Sequence, residues 1–426
     1  MIVYRANKVF IPGGIPEFTY VERAERKIVE SIEETKDHLC KMVTLTGQTK
    51  SGKSVMAQKV FPDTIPENIW IEGGSIKNEE DLWSQIVSKL DVWTDESEGE
   101  DKGTTSKISG ELGGKANAFL VKGQAKTGTG LDRSRSKSRS RSRNFSAKTV
   151  ALENVSSSAN ALIVDDFHYL ARDTQGSVVR ALKPLVFRGF PVILIAIPHR
   201  RFDAIKVERE ITGRVFNVEV PYWENDELAE IPNLGFPLLN VVVSDHVTEQ
   251  FAKEAFGSPH LMQEFCRQLC RDSEIKETVT PEVNLYGVPE GLFERVAEGT
   301  GRTVFEKLAQ GPRQRSDRIQ RQLQSGISVD IYKLVLLALA DLRPGMSAIQ
   351  YEDLRAAIRS LVAEGLPQAH EISRVLDKMS EIASSDEAST PVIDWQQQDQ
   401  LLHVTDPFFA FFLRWGVNEE ITRQWS

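Results

Sequence analysis

The run KMVTLTGQTKSGKS at residues 41–54 admits very few backbones. Met42, Val43 and Leu45 make a short apolar strand; the chain then breaks into glycine and reaches Gly-Lys-Ser before the helix-forming stretch SVMAQKVF. Gly47, Gln48, Thr49, Lys50, Ser51, Gly52, Lys53 and Ser54 fit G-x-x-x-x-G-K-[ST] without a mismatch. The two glycines let the backbone wrap so closely that successive N–H groups point at phosphate oxygens, and a helix beginning at Gly52 adds the positive end of its dipole. In such a loop Lys53 reaches the β and γ phosphates and the Ser54 hydroxyl ligates Mg²⁺, so ATP and Mg²⁺ are the expected ligands.

The stretches around the loop agree with it. NIWIEGGS reads as a second strand and EEDLWSQIVSKL as a second helix, the alternation of an α/β fold with a parallel sheet. ALIVDDFHYL, residues 161–170, reads as a buried strand that delivers Asp165 and Asp166 at its C-terminal edge, where open α/β sheets place their ligands. There Asp165 would hold Mg²⁺ through water, and Asp166 would orient or deprotonate the attacking water. The amphipathic TQGSVVRALKPLVFRG and the apolar PVILIAIP continue the pattern up to His199, Arg200 and Arg201.

Between the second helix and the aspartate strand the alternation stops. Residues 94–147 are rich in Gly, Ser, Thr and Lys and end in RSRSKSRSRSR at 133–143, six positive charges and no negative one. Such a composition buries too little apolar surface to fold alone. It reads as a solvated linker, as an anion or nucleic-acid patch, or as a segment that orders only in an oligomer. KANAFLVKGQA inside it would suit a flexible β-hairpin, with membrane contact through Phe119 to Val121 as a further option.

At 426 residues and 40% apolar content the chain suggests two to three domains. No run is long and apolar enough to span a bilayer and MIVYRANKVF lacks the parts of a signal peptide, so a cytoplasmic protein is expected. Cys40, Cys266 and Cys270 read as reduced core thiols. A net charge of −9 argues against a general nucleic-acid coat.

On the phosphate loop, the paired aspartates and Tyr20-Val21-Glu22-Arg23 ahead of an amphipathic helix, the chain resembles the Orc/Cdc6 and STAND branch of the AAA+ ATPases. That resemblance implies that Val21 and Arg23 pack over adenine, unless the segment is a mere leading arm. It makes Asp165 and Asp166 the Walker B pair and implies that Arg200, or else His199, senses the γ-phosphate; a solvated basic strand end is the alternative. Arg214 becomes a finger reaching a neighbouring subunit's nucleotide, or else a surface salt bridge. Helices after Trp223 resemble a lid, and Gly257-Ser258-Pro259 resembles the lid's G-x-P element, although a plain helix cap explains it too. His260 is a weaker second-sensor candidate.

The expected divisions are a nucleotide-binding domain at 1–222, a lid at 223–275, a helical connector at 276–328 and a winged-helix domain at 329–426. PRQRSDRIQRQLQ, residues 312–324, reads as a connecting helix with a charged face. Three helices, a hairpin of PVIDW and QLLHV, and the ending DPFFAFFLRW make the winged-helix plan. Residues 329–415 hold 7 Lys and Arg against 13 Asp and Glu, which favours protein contact or autoinhibition over DNA reading. The resemblance implies an oligomeric ATPase switch, slow because Asp166 is shorter than the usual glutamate. A DNA-directed ATPase using residues 133–143, or a non-hydrolysing scaffold in bacterial defence or signalling, are the rivals.

Overall fold

The computed structural model describes residues 2–37, 40–92, 95–99, 140–144, 146–197, 214–312, 319–384 and 391–417. His199, Arg200 and the proposed hairpin and membrane contact of the insert lie outside them, as does most of the basic run.

After the short helix α1 (Ile28–Glu33) comes a five-stranded, all-parallel sheet. Its strands are β1 (Met42–Gly47), β2 (Asn68–Glu72), β3 (Ala161–Asp165), β4 (Val192–Ala196) and β5 (Val215–Val220), in the order β2-β3-β4-β1-β5. Every residue of β1, β3 and β4 is buried, as expected for apolar central strands covered on both faces. Strand alternation sends Met42, Ile71, Leu162, Val164 and Leu194 to one face, under α3 (Glu79–Leu90), α4 (Ala147–Ser158) and α5 (Arg172–Phe187). Val43, Leu45, Ile163, Ile193 and Ile195 go to the other face, with α2 (Lys53–Val60).

That second core does not end with the sheet. It runs on through the N-terminal arm (Phe10, Ile28), α6 (Asn225–Gly235), α7 (Asp245–Glu254) and α8 (Pro259–Asp272) into all that follows. Next come α9 (Leu292–Glu298), α10 (Arg302–Gln310), α11 (Ile331–Asp341), α12 (Tyr351–Leu361) and α13 (Ala369–Ser384). The antiparallel strands β6 (Ile393–Gln396) and β7 (Leu401–Val404), joined by the short strand Ile349–Gln350 against β7, precede α14 (Pro407–Trp415). None of these helices is long and apolar enough to cross a membrane.

One expectation fails in the connector. Arg321–Leu323, placed by sequence in a charged helix, is a strand paired antiparallel with Ser328–Val329 and Val362–Glu364. Gly326, at φ +84°, turns the chain back, and the Arg321 guanidinium is drawn inward to Glu371 at 2.9 Å. A long-range ion pair and a glycine turn thus override the local helical pattern.

Candidate functional site

The phosphate loop leaves β1 at Gly47 and feeds α2 through Gly52, whose φ of 91° suits glycine alone. Lys53 begins α2 and is 8% exposed. Its ammonium donates to the carbonyls of Gly47 (3.0 Å) and Gln48 (2.7 Å). Burial pulls its pKa down to about 8, against the opposing pull of Asp166 and Asp165.

Those carboxylates sit at the end of β3, two strands away in the sheet. Asp166 adopts a left-handed conformation (φ 49°) and donates its N–H to the Asp165 carboxylate at 2.9 Å. Burial raises the Asp166 pKa and the Asp165 charge adds to the rise, while Lys53 and Lys50 oppose it. Sequence reasoning missed two neighbours. Glu72 pairs in register with Asp165, and burial and both aspartates raise its carboxyl. At Gly73 a Cβ would lie 2.3 Å from the Asp166 carbonyl oxygen, so only glycine lets the exit of β2 pack against the aspartate turn. The signal was present as Glu-Gly-Gly closing an apolar run.

A cavity of ≈ 590 Å³ opens over the loop, a size suited to a small ligand. Lys53, Ser54 and Asp166 form its sheet side, Tyr20 and Val21 come from the arm, and Trp223, Pro259 and His260 from the segment between β5 and the start of α8. Lys307 of α10 and Asp406, just ahead of α14, also line it.

Arg23, expected over adenine, is held by partners within the protein. Its guanidinium is spent on Glu227 (2.8 and 3.0 Å) and the carbonyls of Pro221 and Tyr222, and it stacks 4.9 Å over Trp223. The Trp223 indole in turn donates to the Ser51 carbonyl at 2.9 Å. The arm, the segment that leads into α6 and the phosphate loop are therefore tied through two side chains that the sequence did not pair. His260 packs edge-on against Phe408 at 4.8 Å, and burial, aided by Lys50, pushes its pKa down to about 4. It meets the cavity as a neutral imidazole. Pro259 opens α8 behind a Ser258 cap, with Gly257 at φ +72°.

Arg214 stands at the far end of the sheet. Its carbonyl accepts from Met42 N at 2.8 Å, and its guanidinium lies 5.1 Å over the exposed Phe187 ring. Since Met42 opens β1 and the loop closes it, Arg214 cannot reach this chain's own loop.

The residues fit a magnesium nucleotide. Among the described residues the buried Ser51 Oγ and Gln48 Oε1 have no partner inside the loop, and a buried ammonium faces two carboxylates. Ser54 and Asp165 would hold the metal.

Fold and loop together define a P-loop α/β protein. Along nearly its whole length it resembles the ORC2 protein of Aeropyrum pernix, solved as ADPNP and ADP complexes, at 12% identity, TM-score 0.50 and 98% coverage of each chain. It also resembles the Walker-type ATPase PABY2304 of Pyrococcus abyssi, at 14% identity, TM-score 0.52 and coverage of 95% of this chain and 99% of that one. No protein-family model and no curated protein sequence matches the chain.

Proposed function

We propose that the chain is an ATP-binding and slowly ATP-hydrolysing molecular switch that controls assembly or a protein partner. The observation that carries this reading is the meeting of Lys53 with Asp165 and Asp166, from distant segments, beside one cavity that the N-terminal arm and α8 also line. Bound Mg²⁺ supplies charge neutralisation at the β and γ phosphates. Loop amides and Lys53 bind and orient the phosphates. Asp166 holds a water on the γ side, and its burial-raised pKa suits accepting a proton. An aspartate reaches less far than a glutamate, which supports slow turnover. The shared fold of two nucleotide-linked proteins supports the same reading.

Finer assignments belong to this proposal. Residues 1–222 form a nucleotide domain of the Orc/Cdc6-like or STAND branch, 223–275 its lid, 276–328 a connector and 329–426 a winged-helix domain, the last supported by three helices around a three-stranded sheet. Arg214, facing outward at the opposite end, serves a neighbouring copy in a homo-oligomer. The acidic balance of 329–415 supports a protein partner over DNA.

The test is fluorescent-nucleotide binding and phosphate release on wild type, Lys53→Ala and Asp166→Asn. Lys53→Ala should lose binding, and Asp166→Asn should bind ATP but not turn it over. ATP binding with phosphate release at background in both wild type and Asp166→Asn would leave a non-hydrolysing, nucleotide-dependent scaffold; wild type that binds no ATP would end the reading.

A further inference from the structure

A second cavity, of ≈ 570 Å³, opens at the other end of the sheet from the phosphate loop, where β2, β3 and β4 begin. Asn68 starts β2, Asn160 precedes β3 and Pro191 precedes β4, while Val60 and Phe61 close α2. Val60, Phe61 and Phe190 give it buried apolar walls. Those walls are held by the fold itself. The Trp70 indole donates to the Phe61 carbonyl at 2.9 Å, and Gly189, at φ +87°, lets the chain turn so that Phe190 N reaches the Leu185 carbonyl at 3.1 Å.

The rim is cationic. Lys36 and Arg188, both exposed, line the cavity, and among the described residues no acidic side chain does. This separation stands out in a chain with 61 acidic against 52 basic residues. Lys36 has Glu33, Glu34 and Asp37 within three positions, yet its ammonium lies 5.2 Å from the centre of the Phe61 ring and makes no ion pair among the described residues. The Arg188 guanidinium makes none there either. A carboxylate offers both a charge-assisted hydrogen bond, which is stronger than a cation–π contact. Asn68 supplies an independent sign of a ligand. It is 7% exposed, and its Nδ2 donates to the Pro62 carbonyl at 2.8 Å, which fixes the amide and leaves Oδ1 without a partner among the described residues. Buried amide oxygens are normally paired, so this acceptor calls for a donor from outside the chain.

We propose that this cavity is a second ligand site, for a small organic acid with an aromatic or branched apolar body and a hydroxyl group. Phe61, Phe190 and Val60 take the apolar body. Lys36 and the planar fork of Arg188 take the carboxylate, and Asn68 Oδ1 accepts from the hydroxyl. The site is distinct from the cavity over the phosphate loop. Helix α2 runs from Lys53 in the one to Val60 in the other, a length of about 12 Å.

The probe that tests it is 4-hydroxybenzoate, followed on the full chain by saturation-transfer NMR and calorimetry. It should bind with a Kd of about 1 mM or tighter. Phenol, which lacks the charge, and inorganic phosphate, which lacks the ring, should bind about tenfold more weakly. The double variant Lys36→Gln/Arg188→Gln, altered only at exposed positions, should keep the wild-type thermal midpoint and lose about tenfold or more in affinity for the acid. Lys53→Ala, in the other cavity, should bind it within about twofold of wild type. No binding by wild type, phenol bound as tightly as the acid, or equal binding by the double variant overturns the site, as does loss of binding in Lys53→Ala. None of these readouts depends on ATP, so the nucleotide reading stands or falls separately.

Discussion

Lys53 has to be charged to hold phosphate and yet lies where charge is disfavoured. Its folded pKa of about 8 is below the 10.5 of a free lysine, so between these values the unfolded chain keeps a proton that the folded chain has released, and stability rises with pH. Phosphate restores that proton. ATP affinity is therefore expected to hold below about pH 7 and to fall as pH rises through about 8, with proton uptake on binding seen by calorimetry in two buffers. Lys53→Arg, always charged, should bind without that uptake. Gly73 gives a second test at this scale. A methyl placed 2.3 Å from the Asp166 carbonyl must push the aspartate turn aside, so Gly73→Ala should cut phosphate release by about tenfold or more and leave ATP binding within about twofold.

Elements meet here through a few fixed contacts. Arg23 and Glu227, with side chains 2% and 17% exposed, hold the arm on α6, and Arg26 still reaches Glu227 at 3.2 Å. Arg23→Ala should therefore cost about 2 to 3 kcal/mol, read as a lower thermal midpoint, and Arg23→Lys should not rescue it, for lack of the planar fork. Trp223→Phe removes the bond to the Ser51 carbonyl; about 1 kcal/mol of the loop's support goes with it, and nucleotide release should quicken several-fold in stopped-flow fluorescence. The central strands and most helices were readable because each carries its own local pattern, an unbroken apolar run for strands buried on both faces and a period near 3.6 for helices. Arg321–Leu323 was not, since its partners lie at 328–329 and 362–364 and its side-chain partner is Glu371. Local pattern holds no record of such pairings.

At the scale of the whole molecule, charge and symmetry decide the tests. Arg214→Ala and Asp166→Asn are each expected to lack turnover, and mixing them should restore part of it, because some interfaces then pair an intact Arg214 with an intact Asp166. Deleting residues 130–145 should leave no salt-sensitive retention of duplex DNA, since residues 329–415 carry 13 acidic against 7 basic side chains. What the sequence determined by itself was the loop, the aspartate pair and the sheet that presents both, because backbone geometry at glycine, strand period and the chemistry of phosphate leave little choice over spans of about ten residues. Only the tertiary structure decided that Arg23 serves Glu227 and Trp223, that Glu72 and Gly73 flank the aspartates, and that Asp406 and Phe408 reach the loop from the far end of the chain. Those contacts join residues tens to hundreds of positions apart, and they exist only because one apolar core runs from the sheet through α6, α7 and α8 to α14 and brings them together.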